Sequence, residues 1–163
     1  MRKVRRWKHR LALLAIAALA GASIARASDA PVLAQEKSRS EQMVEEPVKI
    51  RMIAADQTFT AVLEDSEPAR DFAALLPIEL VLSDYNRTEK IADLPRRLST
   101  EGAPDGIDPM VGDIAYYAPW GNLAIFYRDF GYSRGLVRLG RLEGGVDALA
   151  KIGGAPVRIE RIP

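Results

Sequence analysis

The chain has 163 residues and a formal net charge of +1, but its first 27 residues hold seven of the 23 Lys and Arg and no acid. Beyond them stand 16 basic against 22 acidic residues, a net charge of −6, which leaves no electrostatic footprint for nucleic acid and no general attraction to anionic membranes. There is no Cys and the single His is His9, so the chain after the leader has no disulfide, thiol nucleophile, His-based triad or Cys- or His-bound zinc.

Residues 1–27 have the order of a secretory signal. MRKVRRWKHR is basic, the run from Leu11 to Ala25 is apolar or small, and Ala25-Arg26-Ala27 has the small-x-small form of a cleavage site. The run is short for a spanning helix, which needs roughly 20 apolar residues. No Cys follows it for a lipid anchor. The expectation is a periplasmic or secreted protein with no stable membrane anchor after cleavage. Arg5-Arg6 raises the twin-arginine route beside the general one. Residues 28–47, polar and weakly periodic, read as a flexible linker. Residues 48–163 are enough for one domain.

In that domain Val48, Ile50 and Met52 alternate with Lys49 and Arg51, the pattern of a half-buried strand. A turn at Ala55-Asp56 leads into QTFTAVLE, where Phe59, Ala61 and Leu63 share a face, so the two strands form a hairpin. DSEPARDFAALLP predicts a helix, with Asp65 or Ser66 as cap, Pro68 in the first turn and Phe72, Leu75 and Leu76 at helical spacing. IELVLSDY is a buried strand. NRTEKIADLPRRLSTEGAPDGIDPMVG is mostly irregular, with a short strand around Lys90 to Leu94. GDIAYYAP and NLAIFYRD are strands around a tight turn at Trp120-Gly121. LVRLGRLE is a further strand, GGVDALAKI a short helix, and APVRIERI a closing strand. So many short strands favour a closed barrel, because closure removes exposed edges.

The segments QTFTAVLEDSEPARDFAALLP, TEKIADLPRRLS, GDIAYYAPWGNLAIFYRDF and LVRLGRLEGGVDAL, in this order, resemble the cyclophilin-like fold, and in particular the bacterial cyclophilin-like domain family. The resemblance covers most of residues 48–163 and implies a mainly β fold, a closed eight-stranded barrel with two short helices. It is distant from the true prolyl isomerases. Those carry a Phe-His-Arg strand with a following Pro-Gly-Phe, and a Gly-Ser-Gln-Phe-Phe stretch. Here the first region reads EKIADLPRRLS and the second GNLAIFYRD, with Leu123 and Ala124 near the place of the Gln. Prolyl isomerisation needs no nucleophile. It needs an apolar pocket and a donor, normally Arg, that favours the twisted amide over a barrier of about 18–20 kcal/mol.

The candidate binding residues are Tyr117, Trp120, Asn122 and Phe126, with Arg128, Arg96 and Arg97 as candidate donors. Each has a plainer reading. Trp120 is a rim aromatic over a groove or a ring folded onto the barrel end. Strand alternation puts Leu123, Ile125 and Tyr127 on one face and Ala124, Phe126 and Arg128 on the other, and one set must be core. Arg128 next to Asp129 reads as a surface ion pair, and Arg96-Arg97 and Arg134 as solvated loop residues. Asp105, Asp108 and Asp113 fit no standard calcium loop. No phosphate- or dinucleotide-binding glycine motif occurs, and no cofactor is expected. The functional expectation is an exported, non-catalytic module that binds an unidentified peptide or small molecule. The alternative is a peptidyl-prolyl isomerase with a non-standard active site, and an enzyme built on carboxylates ranks last.

Overall fold

A computed structural model describes residues 46–154 and 156–163. The expected signal peptide and nearly all of the expected linker lie outside the described residues. Strands β1 (Lys49–Ala54) and β2 (Gln57–Leu63) form the expected hairpin around Ala55, whose φ is 52°. Helix α1 (Glu67–Ala73) starts where Ser66 Oγ accepts a hydrogen bond from the Ala69 N–H at 3.4 Å, and its Phe72 is fully buried. Then come β3 (Ile78–Val81), β4 (Ser83–Tyr85), β5 (Glu89–Asp93), β6 (Gly106–Ile107), β7 (Asp113–Tyr117), β8 (Asn122–Phe126), β9 (Ser133–Arg134) and β10 (Leu136–Leu142). Helix α2 (Val146–Lys151) and β11 (Pro156–Arg161) complete the chain.

The main sheet runs β3-β11-β1-β2-β10-β7-β8-β5-β4, and β6 pairs with β9 in a sheet of two. All the pairings are antiparallel. The two ends of the main order, β3 and β4, are separated by Leu82 alone, whose side chain is fully buried. The run Ile78–Tyr85 therefore acts as one bent stave. Its first half pairs with β11, its second half with β5, and the sheet closes on itself. Nine hydrogen-bonded pieces thus make eight staves, which is how the eight-stranded expectation and the nine strands agree. The bend on the β10 stave is a bulge between Arg138 and Gly140. A Cβ at Gly140 would lie 2.3 Å from the Val62 carbonyl oxygen, so only glycine admits this approach.

Inside the barrel, alternation fills the core as expected. Ile50, Met52, Phe59, Ile114, Tyr116, Leu123, Ile125 and Ile159 belong to one cluster, joined by Phe72 of α1 and Leu149 of α2. The β8 alternation has a second outcome. Its other face is buried as well: Ala124 and Phe126 pack with Ala115 and Leu136, and Ile91, Ile107 and Tyr117 lean on them. Ala115 and Ala124 are cross-strand partners, and two methyl side chains leave room for larger neighbours to fold over the outside of the barrel. Both β8 faces are thus buried, because loops cover the outer one.

Three local expectations change. The run IELVLSDY is not buried throughout: Leu80 and Leu82 face inward, but Val81 and Ser83–Tyr85 are exposed, because alternation turns every second side chain outward. The β7–β8 turn spans Ala118–Gly121 rather than two residues. The irregular stretch after β5 holds β6, whose Gly106 and Ile107 pair with Arg134 and Ser133. Lys90 also departs from the binary pattern. It shares the inward side of β5 with Ala92, opposite Ile125, and is 3% exposed. Its Nζ lies 2.9 Å from Asp84 Oδ2 and 5.6 Å from the centre of the Tyr127 ring, and the Tyr127 hydroxyl donates to the same carboxylate at 2.8 Å. The Lys90 and Tyr127 donors hold the Asp84 carboxyl below its usual range. The buried ammonium is thus paired.

Candidate functional site

The outer face of β8 carries Asn122, Ala124 and Phe126 in turn. Register decides what stands beside them. Tyr117 of β7 is opposite Asn122, Glu89 of β5 is opposite Phe126, and Tyr85 of β4 is opposite Glu89. The β4–β5 hairpin turns through Asn86 and Arg87, with φ of 50° and 56°. That pair of left-handed residues suits the twist of a tight hairpin and sets Tyr85 beside Glu89. These side chains, with Trp120, Phe130, Ser133 and Leu136, line a cavity of about 190 Å³.

Trp120 is exposed at the tip of the β7–β8 turn, yet it is not loose. Its ring meets Tyr85 edge-on at 5.5 Å between centres and Tyr117 edge-on at 5.3 Å. Such contacts add about 0.5–1.5 kcal/mol beyond burial. The backbone below is held from two sides. Arg97 donates to the carbonyl oxygens of Ala118 at 2.6 Å and Pro119 at 3.3 Å, and the Ala118 N–H donates to the Gly135 carbonyl at 2.9 Å. Gly121, with φ of +80°, donates its N–H to the Tyr117 carbonyl at 2.8 Å and closes the turn. Phe130 stacks near Phe126 at 6.5 Å and makes a further wall.

Besides the Tyr85, Tyr117 and Ser133 hydroxyls, the polar side chains at this aromatic hollow are Asn122 and Glu89. Asn122 is 3% exposed, and its Nδ2 donates to the Leu123 carbonyl at 3.0 Å. That bond fixes the amide, since the flipped form would set two oxygens together. Oδ1 is then left buried with no hydrogen-bond partner. Buried polar atoms are nearly always satisfied, so one that is not calls for an explanation. Glu89 is half-buried between Tyr85 and Phe126, and burial pushes its carboxyl up to about 7. Among the described residues no Lys or Arg pairs with it.

A sequence profile described as the cyclophilin-like family matches residues 52–160. The chain belongs to the cyclophilin-like family. Its barrel is also similar to the solution structure of a hypothetical protein from Archaeoglobus fulgidus. That likeness covers 74% of this chain and 100% of the other, with 19% sequence identity and a TM-score of 0.56, and it speaks to the fold alone. No curated protein matches this chain.

On this cyclophilin-like barrel the candidate residues divide. Tyr117, Trp120, Asn122 and Phe126 come together around the cavity between the two hairpins. The arginines do not line it. Arg96 grips Asp71 of α1 through two N–H groups, at 2.9 and 2.5 Å, and pins the loop after β5. Arg97 is spent on the turn carbonyls. Arg128 is exposed, and Asp129 accepts from the Val111 N–H at 2.9 Å instead of pairing with it. Asp113 is buried against Arg138 and Arg141, with contacts of 2.9 and 2.7 Å, and belongs to no metal cluster among the described residues. Sequence reading missed Tyr85, Glu89 and Phe130. The signal for Phe130 was present, since it stands in the aromatic stretch after β8. Tyr85 and Glu89 reach the cavity only through the β5–β8 pairing, which local patterns do not encode.

Proposed function

We propose that this cyclophilin-like protein is an exported binding module, and that the outer-face cavity between the β4–β5 and β7–β8 hairpins holds a small molecule or the side chain of a short peptide. One observation carries this reading: an aromatic-walled hollow lined by the half-buried Glu89 carboxyl, with which no Lys or Arg pairs among the described residues. A ligand donor at that carboxyl would offset its desolvation. The cavity is small for a drug-sized ligand, which favours a compact group. Support for export is the basic, apolar and small-residue order of residues 1–27. Support for binding over isomerisation is the lining itself. No Arg lines the cavity, so an amide twisting there would meet no guanidinium donor.

Trp120 and Trp7 are the two tryptophans of the chain. In the full chain with Trp7→Phe, Trp120 fluorescence is therefore a direct reporter. A fragment and short-peptide screen should shift this signal, and Phe126→Ala should abolish the shift. A prolyl isomerisation assay should show no acceleration at micromolar protein. Hits that ignore Phe126→Ala, or acceleration that is lost in Trp120→Ala, would overturn the reading.

A further inference from the structure

We infer that the cavity is selective for an alkylammonium ion, seated among the Tyr85, Tyr117 and Trp120 rings, with its charge facing Glu89. This rests on the binding reading above and names the chemistry of the ligand. The argument is one of complement. Beside the Tyr85, Tyr117 and Ser133 hydroxyls, which can donate or accept, Glu89 is the carboxyl that lines the cavity, and no Lys or Arg pairs with it among the described residues. No Lys or Arg lines the cavity. An anion would find no positive partner, and a neutral apolar group would leave the Glu89 carboxyl desolvated.

The walls point the same way. Trp120 is flanked edge-on by Tyr85 and Tyr117 at interplanar angles of 86° and 81°, which turns ring faces in different directions around one space. Aromatic faces attract cations, Trp most strongly, and more so when water is excluded. Glu89 stands between Tyr85 and Phe126 in cross-strand register, so a charge drawn to the rings is also drawn to a carboxylate. The charged groups near Glu89 are otherwise engaged or outside. Lys90 faces the barrel interior and pairs with Asp84, and Arg128 lies past the end of β8 and does not line the cavity. Burial raises the Glu89 carboxyl to about 7 in the empty cavity. A bound cation would favour the ionised form. Binding therefore releases a proton near neutral pH, and affinity falls as pH drops below 7.

The ammonium could be carried by a free amine or by a lysine side chain, so the test has two matched pairs. Cyclohexylammonium is titrated against cyclohexanol, and a capped Gly-Lys-Gly peptide against its norleucine counterpart, using Trp120 fluorescence in the full chain with Trp7→Phe. The charged member of at least one pair should bind about tenfold tighter than its neutral partner. Glu89→Gln should shrink that preference to about threefold or less, and affinity should weaken from pH 8 to pH 5. The pair that binds identifies the carrier. Equal affinity of charged and neutral members, or a preference untouched by Glu89→Gln, overturns the ammonium assignment. Neutral or anionic fragments whose signal depends on Phe126 would overturn it while leaving the binding module standing. Loss of all Phe126-dependent signal, for every probe, would remove both.

Discussion

At the scale of single residues, Asn122 and Glu89 are both less stable where they are than they would be in water. Asn122 leaves an acceptor unpaired inside the protein. Leucine has nearly the same shape and no such atom. Asn122→Leu should therefore leave stability unchanged or raise it by about 1 kcal/mol, while binding at the Trp120 cavity weakens. Urea unfolding beside a fluorescence titration separates the two effects. A destabilised Asn122→Leu would mean the amide serves the fold. Glu89 makes a prediction in pH. Its carboxyl titrates near 7 in the fold against 4.5 for the free group, because burial disfavours the anion. The folded state thus binds the proton more tightly than the unfolded chain. Stability tied to this group is intact below about pH 4.5 and declines up to about pH 7, then stays level. Glu89→Gln removes that slope. Urea midpoints at pH 5 and pH 8 should show the variant gaining on the wild type at the higher pH, and parallel midpoints would count against a buried Glu89.

At the scale of elements, the turn that carries Trp120 is held by a residue from another segment. Arg97 contributes two hydrogen bonds to carbonyls of the turn while staying exposed. Arg97→Ala should cost little global stability, on the order of 1 kcal/mol for exposed bonds to a charged donor, yet free the turn. The expected readout is faster hydrogen exchange at Gly121 and Ala118 and lower Trp120 anisotropy, with an unchanged exchange rate in β1 and β2. Unchanged exchange at the turn would show that Gly135 alone holds it. The same element shows where reading a sequence succeeds. Tyr117, Trp120, Asn122 and Phe126 were legible because one hairpin presents them, and period-2 alternation needs only neighbours. Strand β5, expected around Lys90 to Leu94, runs Glu89–Asp93, and Lys90 takes an inward position in it that the apolar pattern does not suggest. What stabilises it there, Asp84 and the Tyr127 ring, comes from two other segments. The β6–β9 pair is two residues on each side, too short for any periodicity. Tyr85 and Glu89 joined the site through register, a property of two strands that neither strand states alone.

At the scale of the whole molecule, the barrel wall separates two apolar clusters with different duties. The inner one is closed by Leu82, where a single stave changes partner from β11 to β5. The outer one, around Phe126 and Leu136, supports the floor of the cavity and shares no member with the inner. With no disulfide to help, the inner cluster has to hold the fold through burial alone. Leu82→Ala should therefore cost about 2–5 kcal/mol, and it should lower the unfolding midpoint of all strands together, since the bend joins both edges. Phe126→Ala should remove ligand binding and cost toward the low end of the ~3–5 kcal/mol typical of a buried Phe, because loops rather than sheet cover it. The decisive comparison is the double variant. If the wall isolates the clusters, the two losses add to within about 0.5 kcal/mol. A coupling larger than that would mean that inner packing sets the outer floor, and that ligand binding in turn must tighten the barrel. Binding of a compact group can then be read as protection of amides in β7 and β8 only, as the separated clusters require, or of the whole sheet, as coupled clusters would.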